Sequence, residues 1–466
     1  MIRCLLLLII SINLTFAQSL QTKIDKLFEY EFFQKCGVSV QVEDLTSNET
    51  IYQKNVKMLF KPASNMKILT TVTGLIYLGP DYKFKTSLYH DGIIKDSTLY
   101  GNLYFVGGCD PDFTTKDFQY FVDTLKSLGV YKISGNIYGD VNFKDSLFLG
   151  KGWMWDDDPS FDEPYLSALN LNDNCVNVFV TREQNSEQPE IKIIPNTKYV
   201  SLKNELSSNS DKRFQITRDW IDRKNEIIVE GQLSTRFRSV NEFVNIFDPA
   251  KYFLTVFSEV LDSNSISFKG NTELLKVPLY AEKICDLERS FCDIIVNLNK
   301  TSDNLSAEMT LRAISEKYSG QPATADSGIQ VVNMILDSAG LNSDNYRIVD
   351  GSGVSHYNLI SAESLAKLLK YIYDKHPDLQ KILFDSFPIA GVDGTLENRM
   401  QKSLAINNVH AKTGTLSGVS CLSGYVENKN KHQLAFSIMM QNFVGSSKTA
   451  RDFQDEICKI LASYEN

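Results

Sequence analysis

The sequence predicts an α+β fold: a five-stranded antiparallel sheet with helices, split by a β-rich insertion of one or two domains. Three observations lead there. The start of the chain reads as helix, hairpin, helix; the end reads as three strands and an amphipathic helix; and residues 85–285 change to many short strand-like runs. A hairpin at one end and three strands at the other complete one sheet, which makes the middle an insertion. The expected organisation is residues 18–84 and 286–466 for the split domain and 85–285 for the insert.

The chain opens MIRCLLLLIISINLTFA, with Arg3 as a positive flank, an apolar run from Cys4 to Phe16, and Thr15 and Ala17 at the −3 and −1 cleavage positions. This predicts a secretory signal peptide over residues 1–17, removed after Ala17. A retained anchor needs about 20 apolar residues, whereas this run is about 13 long and contains Asn13. No later stretch approaches spanning length, so no transmembrane segment is expected after cleavage.

Residues 19–36 carry Leu20, Ile24, Leu27, Phe28 and Phe32 at helical spacing, and Gly37 ends the predicted helix. GVSVQVEDL and ETIYQKN alternate about the turn-prone Thr46-Ser47-Asn48, a hairpin signature. A helix over roughly 64–78 follows Pro62, with Met66, Leu69, Val72 and Leu75 as its apolar stripe. In the middle, TLYGNLYFVG, KISGNIYGDVNF, VNVFVT, IKIIP and EIIVEGQL are strand-like runs between Gly, Asp and Asn turns. Helix returns around 302–318 and in GIQVVNMILDSAG and SAESLAKLLKYIYDKH. Strands at NVHAKTGTL, SCLSGYV and HQLAFSIMMQ precede a terminal helix, 446–464, with Phe453, Ile457, Ile460 and Leu461 on one side.

Composition narrows the function. The chain is 43% hydrophobic and 23% charged, which excludes disorder, and its net charge of −9 gives no general attraction to nucleic acid. His90, His356, His376, His410 and His432 show no metal-ligand spacing, and no two Cys form a CxxC pair, so no metal and no cofactor is expected. Cys285 and Cys292 are close enough in sequence for a bridge, which spacing alone leaves open.

Three short motifs carry the chemistry. Ser64-Asn65-Met66-Lys67 places a hydroxyl and an amine on one helix face. A Ser is a poor nucleophile until a base takes its proton, and a partly buried Lys has a pKa low enough to serve. At a helix N-terminus, backbone N–H groups can also receive an oxyanion. An SxxK pattern alone is weak: a chain this long carries roughly two or three by chance, and Ser364-Leu365-Ala366-Lys367 reads as such a decoy on an amphipathic helix.

Ser302-Asp303-Asn304 opens a helix containing Leu305, Met309 and Leu311. A second hydroxyl near the Ser–Lys pair can relay a proton, and an Asn amide can orient a peptide. The competing explanation is helix capping. The same tripeptide, Ser343-Asp344-Asn345, lies in a polar loop and reads as a turn, so Ser302 is preferred. Lys412-Thr413-Gly414-Thr415 occurs once, in a strand-like run. A cation, a hydroxyl and a Gly that admits substrate to a strand edge together suit a C-terminal carboxylate. Taken singly, an ordinary turn would explain it.

The ordered set SxxK, SxN, KTG resembles the serine penicillin-binding proteins and serine β-lactamases. The stretch between Lys67 and Ser302 is far too long for a β-lactamase. An insert at that position resembles the class C low-molecular-mass penicillin-binding proteins, the D-alanyl-D-alanine carboxypeptidases and endopeptidases of the penicillin-binding protein 4 type. FVGGCDPDF, GNIYGDVNF, GWMWDD, PYLSALNLNDN, VDGSGVSHYNLI, AGVDGTL and VHAKTGTLSGV extend the resemblance over nearly the whole mature chain. Cys109 departs from it, since that family more usually has Gly there. Glu163-Pro164-Tyr165-Leu166-Ser167 is a poor and misordered match to the deacylating ExxLN loop of class A β-lactamases, and no Tyr replaces Ser302 as in class C β-lactamases.

The resemblance implies a β-lactamase/transpeptidase-like domain in the periplasm, acting on peptidoglycan muropeptides and trapped covalently by β-lactam antibiotics. It implies Ser64 as nucleophile, Lys67 as general base, Ser302 as proton relay and Lys412 as the local field. Asn304 would hold the substrate amide, Thr413 and Thr415 its carboxylate beside Gly414, and the N–H groups of Ser64 and Thr415 the oxyanion. The rival is a catalytically silent protein of the same fold that docks wall polymer or a partner. Three intact motifs argue against it.

Overall fold

The computed structural model describes residues 19–182, 189–207, 211–232 and 239–465; the signal peptide expected over 1–17 lies outside them. Strand Gly37–Asp44 reverses into strand Glu49–Lys54 through a turn in which Asn48 takes φ 63°. Asn tolerates that left-handed step better than most residues do. On its other side Gly37–Asp44 pairs with strand Gln433–Gln441, from Gly37 opposite Gln441 to Asp44 opposite Leu434. Strands Val419–Glu427 and His410–Leu416 follow outward, so the two ends of the chain form one five-stranded antiparallel sheet. The fold is the expected α+β arrangement.

Side-chain alternation divides this sheet between two cores. Val38, Val40, Val42, Leu434, Phe436 and Ile438 face Leu20, Ile24, Ile457 and Leu461 of the terminal helices. Cys421, Tyr425, Ala435 and Met439 join the opposite core with helices Met66–Tyr77, Asn304–Ser319, Ala325–Ser338 and Ala362–Lys375. Nearly every residue of helix Met66–Tyr77 is buried, including Lys67. The C-terminal helix runs Lys448–Ala462, within two residues of its expected bounds.

The first helix is shorter than its periodicity predicts. It ends at Leu27, and Glu31–Gln34 form a separate 3-10 turn after extended Tyr30. The break lets Phe32 stack on Phe453 of the C-terminal helix and Phe33 meet the same ring edge-on, at 5.7 and 4.7 Å between ring centroids. Aromatic burial there outweighs a further helical turn.

Strand Lys83–His90 pairs antiparallel with strand Glu282–Ser290, so the chain leaves and re-enters side by side. The region between them has its own core, centred on Phe105, Phe113, Phe118, Phe121, Phe253 and Phe257. Two helices, Phe118–Ser127 and Pro249–Ser263, supply four of those rings. They stand in a stretch that reads as strands, because flanking β-runs mask their periodicity. Buried Cys109 takes φ 63°, a conformation Gly adopts without penalty. Cys285 and Cys292 are both free thiols.

Candidate active site

Ser64 sits in a 3-10 turn, Ala63–Asn65, that leads directly into helix Met66–Tyr77. Ala63 is left-handed, with φ 48°. Lys67 follows one turn later, its Nζ 3.1 Å from Ser64 Oγ. The same nitrogen donates to Asn304 Oδ1 at 2.5 Å and to the Ser352 carbonyl at 2.8 Å. Three acceptors thus match three ammonium protons, and their directions hold Nζ against the serine.

Burial dominates the titration of Lys67 and brings its pKa down to about 8, although Asp303, Asp350, Glu308 and Asp162 all pull it up. At pH 7 roughly one lysine in ten is then neutral and able to accept a proton. A solvated lysine would be almost wholly charged.

Ser302 is also left-handed, with φ 68°, and stands outside the helix that begins at Asn304. The N-cap of that helix is the residue between them, Asp303, whose carboxylate accepts from Ser306 N–H. Capping therefore consumes neither Ser302 nor Asn304. Ser302 Oγ accepts from Lys412 Nζ at 2.8 Å, and Asn304 Nδ2 donates to the Asp162 carbonyl at 2.6 Å. Asp303 in turn lies in a group of carboxylates with Asp112 and Asp173, within 4.8 Å of one another. Burial raises Asp112 to about 7 and Asp173 to about 8, so protonation relieves the repulsion among them.

Lys412 is fully buried on strand His410–Leu416 and is held well below the usual lysine range, by burial first and by the charge of Lys67 second. It also donates to the Thr413 carbonyl at 2.9 Å. Thr413 and Thr395 share a hydroxyl hydrogen bond of 2.7 Å. A Cβ on Gly414 would come within 2.8 Å of the Pro62 carbonyl and 3.0 Å of the Ser64 and Asn65 nitrogens. Glycine is what lets the strand lie against the serine turn.

A cavity of about 440 Å³ is lined by Ser64, Ser302, Asn304, Thr413, Gly414 and Thr415. Lys67 and Lys412 lie beneath it, hydrogen-bonded to Ser64 and Ser302 respectively. All eight residues singled out by the motifs therefore converge. Asp157, Ser160, Asp162 and Glu163, from the region between strands Lys83–His90 and Glu282–Ser290, line the same cavity. A larger cavity, about 660 Å³, opens beside Lys144 and Phe247 and holds none of the motif residues.

The decoys separate cleanly. Ser343 bonds to Asp337 in a 3-10 turn, and Ser364 is occupied by the Ser361 cap while Lys367 pairs with Glu363. The motifs do not point to the turn Asp350–Gly353. Its Ser352 carbonyl receives Lys67, while its amides are held by Glu308 and Asp350. Gly353 meets the serine turn so closely that a Cβ would lie 1.9 Å from the Ala63 carbonyl. The only sequence trace of this support is the DGSG turn chemistry within VDGSGVSHYNLI.

Residues 20–464 match the model of the D-Ala-D-Ala carboxypeptidase 3 (S13) family. The D-alanyl-D-alanine carboxypeptidase of Actinomadura sp. (strain R39) is 30% identical over 461 residues, covering 96% of this chain and 85% of that protein. The D-alanyl-D-alanine carboxypeptidase DacB of Haemophilus influenzae is 29% identical, over 86% of this chain and 84% of its own. The crystal structure of penicillin binding protein 4 from H. influenzae superposes with TM-score 0.84 at 25% identity, covering 95% of this chain and 99% of that one. A predatory endopeptidase from Bdellovibrio bacteriovorus shares the fold at TM-score 0.55 and 17% identity, over 92% of this chain and 96% of its own.

Proposed function

The chain belongs to the D-Ala-D-Ala carboxypeptidase 3 (S13) family and is a hydrolase of that class, and from this premise we propose that it cleaves stem peptides of peptidoglycan through an acyl-enzyme on Ser64. The observation that carries the reading is the contact of Ser64 Oγ with a buried Lys67 whose pKa lies near 8. Neutral Lys67 takes the hydroxyl proton as Oγ adds to the carbonyl of the penultimate D-Ala. The oxyanion is received by the N–H groups of Ser64 and Thr415. The C–N bond then breaks as the leaving amine gains a proton through Ser302, which Lys412 polarises, and terminal D-Ala departs. Water attacks the ester, returns a proton to Ser64 Oγ and frees the shortened peptide.

Asn304 orients the substrate amide, and Thr413 and Thr415 hold its carboxylate in the field of Lys412. The D-alanyl cross-bridge bond presents the same carbonyl, so endopeptidase cleavage uses the same groups. A β-lactam enters as substrate and stays as an ester on Ser64. The rest of the reading is a signal peptide over 1–17, removed after Ala17, a periplasmic enzyme, and a catalytic domain of 18–84 and 286–466 interrupted by 85–285. The side-by-side strands Lys83–His90 and Glu282–Ser290 support that division.

Incubating the protein with a pentapeptide muropeptide and weighing the products tests the proposal. Loss of one D-Ala, together with a penicillin adduct mapped to Ser64 and absent in Ser64→Ala, is the expected result. A folded protein that neither releases D-Ala nor takes up penicillin would be the silent binder instead.

A further inference from the structure

The amide of Asn304 has two unlike ends, and both are used: Oδ1 accepts from Lys67 Nζ, and Nδ2 donates to the Asp162 carbonyl at 2.6 Å. Reversing it would turn an NH2 toward the ammonium and an oxygen toward the carbonyl, two repulsive contacts for two favourable ones. The Asp162 carbonyl, which belongs to the insert, therefore selects the orientation in which Asn304 serves Lys67.

Residues on either side of Asp162 are tied to the insert's strands. Arg218, whose side chain is 0% exposed, places Nη2 2.7 and 2.9 Å from the two oxygens of Asp158. The same nitrogen donates to Asn245 Oδ1 at 3.1 Å, and Nη1 to the Lys224 carbonyl at 3.1 Å. Tyr165 Oη donates to Asp158 at 2.7 Å while its ring lies 5.6 Å from the Arg218 guanidinium. Asn245 completes the strap, with Nδ2 on the Glu163 carbonyl at 2.8 Å and its own N–H on the Pro159 carbonyl at 3.3 Å. Ser160 forms a β-bridge with Val244. Residues 158, 159, 160, 163 and 165 are thereby fixed from strands Gln215–Arg218 and Ser239–Asn245.

We propose that Arg218 is a positioning residue for acylation: through Asp158 it holds the 158–165 strap so that the Asp162 carbonyl orients Asn304 and, through Asn304, Lys67. The insert thus completes the geometry of the Ser–Lys pair as well as walling the cleft. This rests on the reading of Ser64 and Lys67 given above.

The test compares wild type, Arg218→Lys, Arg218→Met and Tyr165→Phe, each checked for folding by its thermal midpoint and followed by stopped-flow acylation with a fluorescent penicillin across pH. Displacement of a reacting group by about 1 Å costs up to a hundredfold. Arg218→Met is expected to lose at least tenfold in the first-order acylation constant, with little change in pre-covalent binding. Arg218→Lys should recover part of that loss, and Tyr165→Phe, which removes only a hydroxyl, should lose a few-fold.

The specific signature is the pH limb. Without Oδ1 accepting its proton, the charged form of Lys67 is less favoured, so the limb moves to lower pH while Asp162, Asp303, Glu308, Asp350 and Lys412 still face it. If Arg218→Met does not fold, Arg218→Lys and Tyr165→Phe decide the matter. Folded variants with wild-type acylation constants and an unmoved limb would overturn the proposal. Absence of any adduct on Ser64 in wild type would instead remove the proposed function beneath it.

Discussion

Lys412 Nζ donates to Ser302 Oγ at 2.8 Å, joining positions 110 residues apart in the chain. The contact pairs with that of Lys67 and Ser64, so the cleft holds two serine–lysine couples on different elements. Removing Lys412 takes away the donor to Ser302 Oγ and should slow acylation without removing the proposed nucleophile. Lys412→Ala is expected to lose about a hundredfold in the acylation constant while still forming an adduct at Ser64, measurable by intact-protein mass over time.

Lys67→Ala should lose more, because it removes the proposed base. A loss of 10²–10⁴ in acylation is the order for a general base. Equal acylation of Lys67→Ala and wild type would transfer the role to another group.

The pH dependence follows from the depressed pKa of Lys67. Under the proposed mechanism its neutral form is the reactive one, so the acylation rate should rise with pH and level off above about 8. Stability carries the same shift. Between about 8 and the ordinary lysine value of 10.5 the unfolded chain binds more protons at this position than the folded chain does, so this lysine's contribution to stability rises with pH across that window. Below it both states are protonated and the full burial penalty remains. A flat acylation profile from pH 6 to 9 would contradict the assignment.

Gly353→Ala should disturb the site without touching a motif residue. Gly353 has φ 88°, and its added Cβ would press within 1.9 Å of the Ala63 carbonyl, backbone that cannot simply rotate away. A stability loss of about 1–3 kcal/mol and acylation slowed at least tenfold are expected, read by denaturant unfolding and penicillin labelling.

Glu308 is fully buried, accepting from the Gly351 and Ser352 amides at 2.9 Å each and pairing with Arg312 at 3.3 Å. Glu308→Ala strands the buried Arg312 cation and two amides, for a loss of about 3–5 kcal/mol. Glu308→Gln keeps an acceptor for the amides and should lose distinctly less. Urea titrations of the two variants would separate charge from hydrogen bonding.

Three motifs and a few strand patterns made the central sheet and the cleft legible, because their signals are local. Ser64 and Lys67 share a helix face whatever surrounds them, and Gly37–Asp44 alternates whether or not its partner is known. The contribution of Asp162 was hidden because it acts through a backbone carbonyl, which every residue possesses. Glu308 and Ser352 were hidden for the related reason that their partners are amides and an ammonium brought together only by the fold. Helix Pro249–Ser263 was obscured by β-rich neighbours, and the early end of the first helix was set by Phe453, more than 400 positions away.

The pairing of Gly37–Asp44 with Gln433–Gln441 sets an order of assembly. A chain made from its amino end can pair strand Lys83–His90 once strand Glu282–Ser290 has emerged, but strand Gly37–Asp44 must wait for its partner among nearly the last residues of the protein. Until then Ser64 and Lys67 have neither the strand bearing Lys412 nor the glycine that packs against them. The proposed chemistry therefore arrives last: a chain cut short before residue 410 lacks Lys412, Gly414 and the strand that carries them.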